Sequence, residues 1–242
     1  MGQYLKAENL KLKRTFTKKL ILLMPLATLL LTWVLSFQWY QINAFNWWYV
    51  LMMPGYIALI TTLSNQKEAN KLDYRGVIGL PISLTKLWVA KILNLVLYTA
   101  LSCLILLAGI LLGYFTVPKP LPLGAACLGM LLIFVSSLWQ LPFCLFLSRK
   151  AGMVITILLP LIAGLLPGVL FATKSIWWLC PYSWTMRIVT PVLGILPNGT
   201  LATSGDPLLK SSSIPLGTSL SLLLFILLML ITSGWFQKQE AR

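Results

Sequence analysis

Six long apolar stretches alternate with shorter, more polar segments along the 242-residue chain. A helix needs about 20 apolar residues to cross the hydrocarbon core of a bilayer, which is about 30 Å thick. Each stretch is near or above that length, and Lys91 is the one charged residue that falls within them. We therefore predict an all-α integral membrane protein with six transmembrane helices, over residues 20–37, 45–63, 87–114, 124–147, 153–172 and 214–235.

The segment before the first stretch predicts a separate helix on the membrane surface. Leu5, Leu12 and Phe16 fall within about 40° of one another on a helical wheel, while basic residues cover the rest. A simple positively charged flank of the first span is the alternative interpretation. We predict an interfacial elbow helix within residues 1–19, followed by one transmembrane domain over residues 20–242.

Composition and charge agree with a membrane protein and orient it. Hydrophobic residues make up 58% of the chain and charged residues 10%, whereas a soluble domain has about 25% charged residues. Most of the 19 lysines and arginines lie before the first span, between spans two and three, between spans four and five, and in the C-terminal tail. Since cytoplasmic loops are enriched in these residues, both termini are predicted to be cytoplasmic. The net charge of +14 therefore does not require a nucleic-acid partner.

The most polar part of the chain is the connection between spans two and three, residues 64–86. Glu68 follows Asn65 by three residues, which is the spacing of a helix capping box, and Pro81 would end such a helix. A short cytosolic helix of mixed charge suits docking against a soluble protein. An ordinary solvated loop explains the same residues equally well.

The longest connection, residues 173–213, is predicted to lie outside and to press on the membrane with its apolar and aromatic residues. An amphipathic substrate at the membrane interface would meet aromatic side chains there first. The candidates for such contacts are Trp47, Trp48, Trp177, Trp178 and Trp184. The simpler interpretation is a belt of tryptophans that anchors the protein at the headgroup level.

The sequence lacks the usual residues of catalysis and of ion coupling. It contains no histidine, its five carboxylate residues are scattered, and it has no P-loop pattern for nucleotide binding. We therefore predict no catalytic site, no metal site and no cofactor in this chain. If the protein moves a substrate against a gradient, the energy must come from another subunit.

These features together resemble the membrane subunits of six-span ABC transporters of the second exporter superfamily. Members of that group have an elbow helix, a coupling helix between spans two and three, and both termini inside. An acidic residue in the loop, a Leu-Pro turn and a nearby lysine are also usual, and Glu68, Leu80-Pro81 and Lys86 or Lys91 match them. The resemblance implies docking of an ATPase through Glu68, Lys71, Tyr74, Arg75 and Pro81.

A narrower resemblance is to the lantibiotic-immunity permeases of the MutE/EpiE type from Gram-positive bacteria. It is carried by residues 11–16, 43–49, the Pro54-Gly55 pair and residues 71–75, and in the second half by residues 181–184 and 196–199. It implies a subunit of a plasma-membrane complex that expels lantibiotic peptides. The implied partners are an ABC ATPase, in two copies, which binds ATP and magnesium, and a second related permease.

Two other functions are weighed against this one. A membrane sensor or scaffold that sequesters the peptide or recruits a partner would need the outer aromatic residues but no ATPase. A membrane-embedded enzyme of lipid metabolism is disfavoured, because the chain has neither histidine nor a pair of neighbouring carboxylates. Co-purification with an ATPase separates the transporter from the scaffold.

Overall fold

The computed structural model describes residues 1–35, 37–72, 82–113 and 120–239, with the side chains of 67–72 left out. The regular elements in these ranges are helices, apart from one isolated antiparallel bridge between Ile195 and Leu201. In chain order they are α1 (Gly2–Lys11), α2 (Phe16–Leu35), α3 (Tyr40–Trp47), α4 (Met53–Leu72), α5 (Leu84–Leu112), α6 (Leu123–Ser137), α7 (Gln140–Lys150), α8 (Gly152–Ala163), α9 (Val169–Ala172), α10 (Pro181–Leu193) and α11 (Ser213–Gln237).

Six helices within the described ranges are long and apolar enough to cross a membrane. The prediction of an all-α integral membrane protein with six spans is confirmed. Spans one to six run over Phe16–Leu35, Phe37–Gln66, Leu84–Leu112, Leu123–Lys150, Gly152–Ala172 and Ser213–Gln237.

Spans two and five each contain one π-helical segment, and the two segments contact one another. They are Trp48–Met52 in span two and Gly164–Gly168 in span five. Pro54 has no backbone N–H and would crowd the carbonyl of Val50 in a regular α-helix, so the wider turn relieves that clash. The carbonyl oxygen of Val50 points at Gly164, where an added Cβ would lie only 2.6 Å from it. The two spans therefore approach closely because residue 164 has no side chain.

The connection between spans five and six differs from the expected surface loop. It contains α10, which begins with Pro181 at its first turn and ends at Gly194 in the left-handed conformation (φ 66°). Eight of its side chains are buried: Ser183, Trp184, Thr185, Met186, Ile188, Val189, Thr190 and Leu193. The helix packs against α6, α11 and the π-helical segment of span five. None of its side chains is exposed, since the five that are not buried are half-buried, so neighbouring elements enclose this helix on all sides.

Candidate functional site

The N-terminal helix α1 is attached to span three by polar contacts as well as by apolar packing. Tyr98 Oη donates a hydrogen bond to Asn9 Oδ1 (2.9 Å), and the backbone N–H of Ser83 donates one to Tyr4 Oη (3.3 Å). Leu12 is buried, but Phe16 is exposed and belongs to the first turn of α2. The helix predicted within residues 1–19 thus ends at Lys11, and a short turn separates it from span one.

A buried ion pair joins the same two elements. Glu8 on α1 is 1% exposed and Lys91 on α5 is 2% exposed. Glu8 also contacts Lys11 one turn away, with 2.5 Å between Oε1 and Nζ. Sequence reasoning did not connect Glu8 with Lys91. The available signal was that a lone lysine inside a span needs an opposite charge or a polar partner.

Both ends of the connection between spans two and three are fixed to other parts of the protein. Where span two ends, Asn65 Nδ2 donates hydrogen bonds to the carbonyl of Leu145 (2.7 Å) and to Ser148 Oγ (2.5 Å), both in span four. Where span three begins, Ser83 contacts Tyr4 of α1, and Thr85 Oγ1 donates to Gln237 Oε1 of span six (3.1 Å). A displacement of this connection would therefore pull on α1 and on spans four and six.

The residues predicted to dock an ATPase lie in this connection, beyond the contacts just described. Glu68 and Lys71 belong to the backbone of α4, but their side chains are outside the described part of the structure. Tyr74, Arg75 and Pro81 fall wholly outside the described residues. Their role in docking stays a prediction.

The five tryptophans predicted as substrate contacts separate into two groups by burial. Trp48, Trp177 and Trp184 are at most 6% exposed and pack inside the protein. Trp178 is 48% exposed and Trp47 is half-buried, so these two can be reached from outside. The indole N–H of Trp184 donates to the carbonyl of Trp178 (2.9 Å), which fixes the exposed residue to the buried cluster.

A cavity of about 300 Å³ beside Trp39 brings together two segments that are far apart in sequence. One wall is formed by Trp39, Ile42 and Asn43 at the start of span two, and the other by residues 199–201 of the outer connection. Gly199 adopts φ 88°, and an added Cβ would lie 3.0 Å from Asn46 Oδ1. The sequence did not predict that Trp39 and Gly199 share a cavity.

Two basic residues border aromatic side chains at the end of span five and in the connection that follows it. The guanidinium carbon of Arg187 lies 6.0 Å from the ring centre of Trp177, and Lys174 Nζ lies 5.7 Å from that of Phe171. Burial lowers the pKa of Arg187, and the charge of Asp206 acts in the opposite direction. These cations disfavour tight, charge-based capture of a cationic ligand on this side.

Within the described ranges, no three histidine, cysteine, aspartate or glutamate side chains come together as a possible metal site. The arrangement instead offers a polar connection held at both ends and, at the opposite end of the spans, a cavity lined by Trp39 and apolar residues. Mechanical coupling and contact with an amphipathic ligand are the tasks that these two features suit.

A family model described as ABC-2 family transporter protein matches residues 4–168, from α1 to the end of the π-helical segment in span five. No curated protein matches this chain. No solved structure matches it either.

Proposed function

Because the chain belongs to the ABC-2 family of transporter proteins, we propose that it expels cationic lantibiotic peptides from the membrane of the cell that produces them. Family membership makes the chain a multi-pass membrane permease subunit of an ABC transporter and implies an ABC ATPase as its partner. Such permeases are generally non-catalytic. The peptide substrate is our inference from the lantibiotic-immunity motifs in the sequence.

The observation that carries the peptide assignment is the cavity lined by Trp39, Asn43 and Gly199. The motif at residues 43–49 and the motif at residues 196–199 both contribute to the resemblance with immunity permeases. In the structure, Asn43 from the first motif and Gly199 from the second line the same cavity, beside Trp39. An amphipathic peptide partitions into the membrane interface through apolar and aromatic contacts. A cavity at that level, lined by one tryptophan ring and by apolar Ile42 and Leu201, suits such a peptide better than a small polar solute.

The proposed complex contains two ATPase copies, which bind ATP and magnesium, and a second related permease. Residues 64–86 form its coupling segment, with both termini of this chain in the cytoplasm. Glu68 and Arg75 would form salt bridges with the ATPase, Lys71 would add a third charged contact, and Tyr74 an apolar one. Contacts of Asn65 with span four and of Ser83 with α1 would then carry the motion of the ATPase into the membrane helices.

The experiment is a resistance assay in a lantibiotic-sensitive Gram-positive host. Cells receive this chain, its sister permease and the ATPase, either active or with the P-loop lysine of the ATPase replaced. We expect the minimal inhibitory concentration of a cationic lantibiotic to rise severalfold in cells with the active ATPase and to stay unchanged in cells with the inactive one. An unrelated uncharged antibiotic should be equally toxic to both. An unchanged inhibitory concentration with the active ATPase would overturn the immunity proposal.

The same assay separates export from sequestration. Resistance that persists with the inactive ATPase would favour a scaffold that holds the peptide. A parallel purification in mild detergent should recover the ATPase with the wild-type chain and lose it with Glu68→Ala. Recovery of the ATPase with both chains would remove Glu68 from the coupling assignment.

A further inference from the structure

A second cavity, of about 400 Å³, lies at the opposite end of the spans from the cavity beside Trp39. It is bounded by the ends of spans two, four and six and the start of span five. The lining residues are Thr62, Asn65, Gln66, Ser148, Arg149, Lys150, Gly152, Met153, Trp235 and Gln239. A water molecule takes up about 30 Å³ in the liquid, so this space exceeds what one or two waters would fill.

The described residues in the wall of this cavity carry charge of one sign. Arg149 and Lys150 line it, and none of the described residues in its wall is a carboxylate. Helix α8 begins at Gly152 in the same wall, whereas α7 and α11 end beside it, so the helix dipoles oppose one another and the two side-chain cations determine the sign. An anion is therefore the ligand that this wall attracts.

Aromatic rings hold both cations at the cavity. The guanidinium carbon of Arg149 lies 5.8 Å from the ring centre of Trp235 and 5.4 Å from that of Phe236. Lys150 Nζ lies 5.1 Å from the ring centre of Trp235. These contacts restrict the two side chains before any ligand arrives. Arginine presents five N–H donors in a planar fork, an arrangement that matches the oxygens of a phosphate.

We propose that this cavity binds the phosphate headgroup of an anionic phospholipid. Its position at the ends of four spans places it at the level of the headgroups. Met153 and Trp235 add apolar surface beside the cations, which a glycerol backbone can contact and a free phosphate ion does not need. Positive-inside topology assigns this end to the cytoplasmic leaflet, whose surface carries the anionic lipids.

The bound headgroup would brace the coupling segment where it leaves the membrane. Asn65 and Gln66 line the cavity and are the last residues of span two, and Asn65 already contacts span four. A headgroup between Gln66, Arg149 and Lys150 would add a second link between those spans. Anionic lipid would thus stabilise the arrangement that transmits motion from the connection to span four.

The test measures thermal unfolding of the full-length chain in a non-ionic detergent. Short-chain phosphatidylglycerol, short-chain phosphatidylcholine or inorganic phosphate is added to wild type and to the variant R149Q/K150Q. A ligand that binds the folded state raises the melting temperature as its concentration exceeds the dissociation constant. We expect phosphatidylglycerol to protect wild type, and the double variant to need about tenfold more of it, because two solvent-screened charge contacts are lost.

Two control variants keep the result specific. K174Q/K210Q removes the same charge from the other end of the spans and should respond to phosphatidylglycerol as wild type does. R149K/K150R keeps both charges and should retain most of the protection.

If R149Q/K150Q does not fold, K150Q alone replaces it, since Lys150 is exposed, and a severalfold weaker response is expected.

Equal protection of wild type and R149Q/K150Q by phosphatidylglycerol would overturn the proposal. Protection by phosphatidylcholine to the same extent would also overturn it, because the headgroup charge would then be irrelevant. If inorganic phosphate protects wild type fully and phosphatidylglycerol adds nothing, the cavity takes a soluble anion and the lipid assignment is wrong.

Discussion

Glu8 Oε2 lies 4.0 Å from Lys91 Nζ, and both side chains are buried where the N-terminal helix meets span three. The pair joins a surface helix to a membrane helix at the place where the connection from span two returns. A charge removed from water is tolerated when an opposite charge and hydrogen bonds replace its hydration. The pair thus fixes the position of α1 against α5 more specifically than apolar packing alone would.

Replacing Glu8 by glutamine should destabilise the protein by about 3 kcal/mol, because Lys91 would keep a buried charge without its carboxylate. Thermal unfolding in detergent measures this as a lower melting temperature. Replacing both residues, as E8Q/K91M, should recover part of the loss since no buried charge then remains. Lys6→Gln on the exposed side of the same helix is the matched control and should change little. Equal melting temperatures for E8Q and K6Q would contradict this role of the pair.

The spans could be predicted from the sequence because hydrophobic length alone determines which helices cross a bilayer. The contacts between the spans could not be predicted, since such contacts depend on which side chains meet across the bundle. Glu8 and Lys91 are 83 positions apart and look like parts of two basic segments. The burial of Trp177 beside the exposed Trp178 follows from the docking of α10, and hydropathy shows only an aromatic pair. The cavity between Asn43 and Gly199 requires the same tertiary information.

The close approach of spans two and five should not tolerate a side chain at position 164. Gly164→Ala would place its Cβ against the carbonyl oxygen of Val50, which is backbone and cannot rotate away. Overpacking of this kind costs about 1–3 kcal/mol, so a clear fall in melting temperature is expected. Gly234→Ala is the control, because no atom lies within 4 Å of the added methyl group and alanine favours the helix. A neutral G164A would mean that the two spans can separate at little cost.

Asn65 should contribute to stability through span four. Asn65→Ala removes the hydrogen bonds to the carbonyl of Leu145 and to Ser148, and a loss of about 1–2 kcal/mol is expected for buried polar groups. The measurement is thermal unfolding in detergent without added lipid. Gln66→Ala is the neighbouring control: among the described residues its amide donates to the exposed sulfur of Met153, and the effect should stay within about 0.5 kcal/mol. Equal losses for both variants would argue against a specific link to span four.

Two neighbouring tryptophans in the connection between spans five and six should differ in how far their replacement by alanine lowers stability. Trp177→Ala empties a buried site and should lower stability by about 3 kcal/mol, whereas Trp178→Ala removes a ring that is 48% exposed and should leave the melting temperature nearly unchanged. If Trp178 contacts the peptide, W178A should still reduce lantibiotic resistance. W178F should retain most of the wild-type resistance, because it keeps an aromatic surface. Resistance and protein level in the membrane are measured together, so that a loss of folded protein is not mistaken for a loss of contact. Full resistance of W178A at a normal protein level would assign Trp178 to the anchoring belt and leave the cavity beside Trp39 as the place of peptide contact.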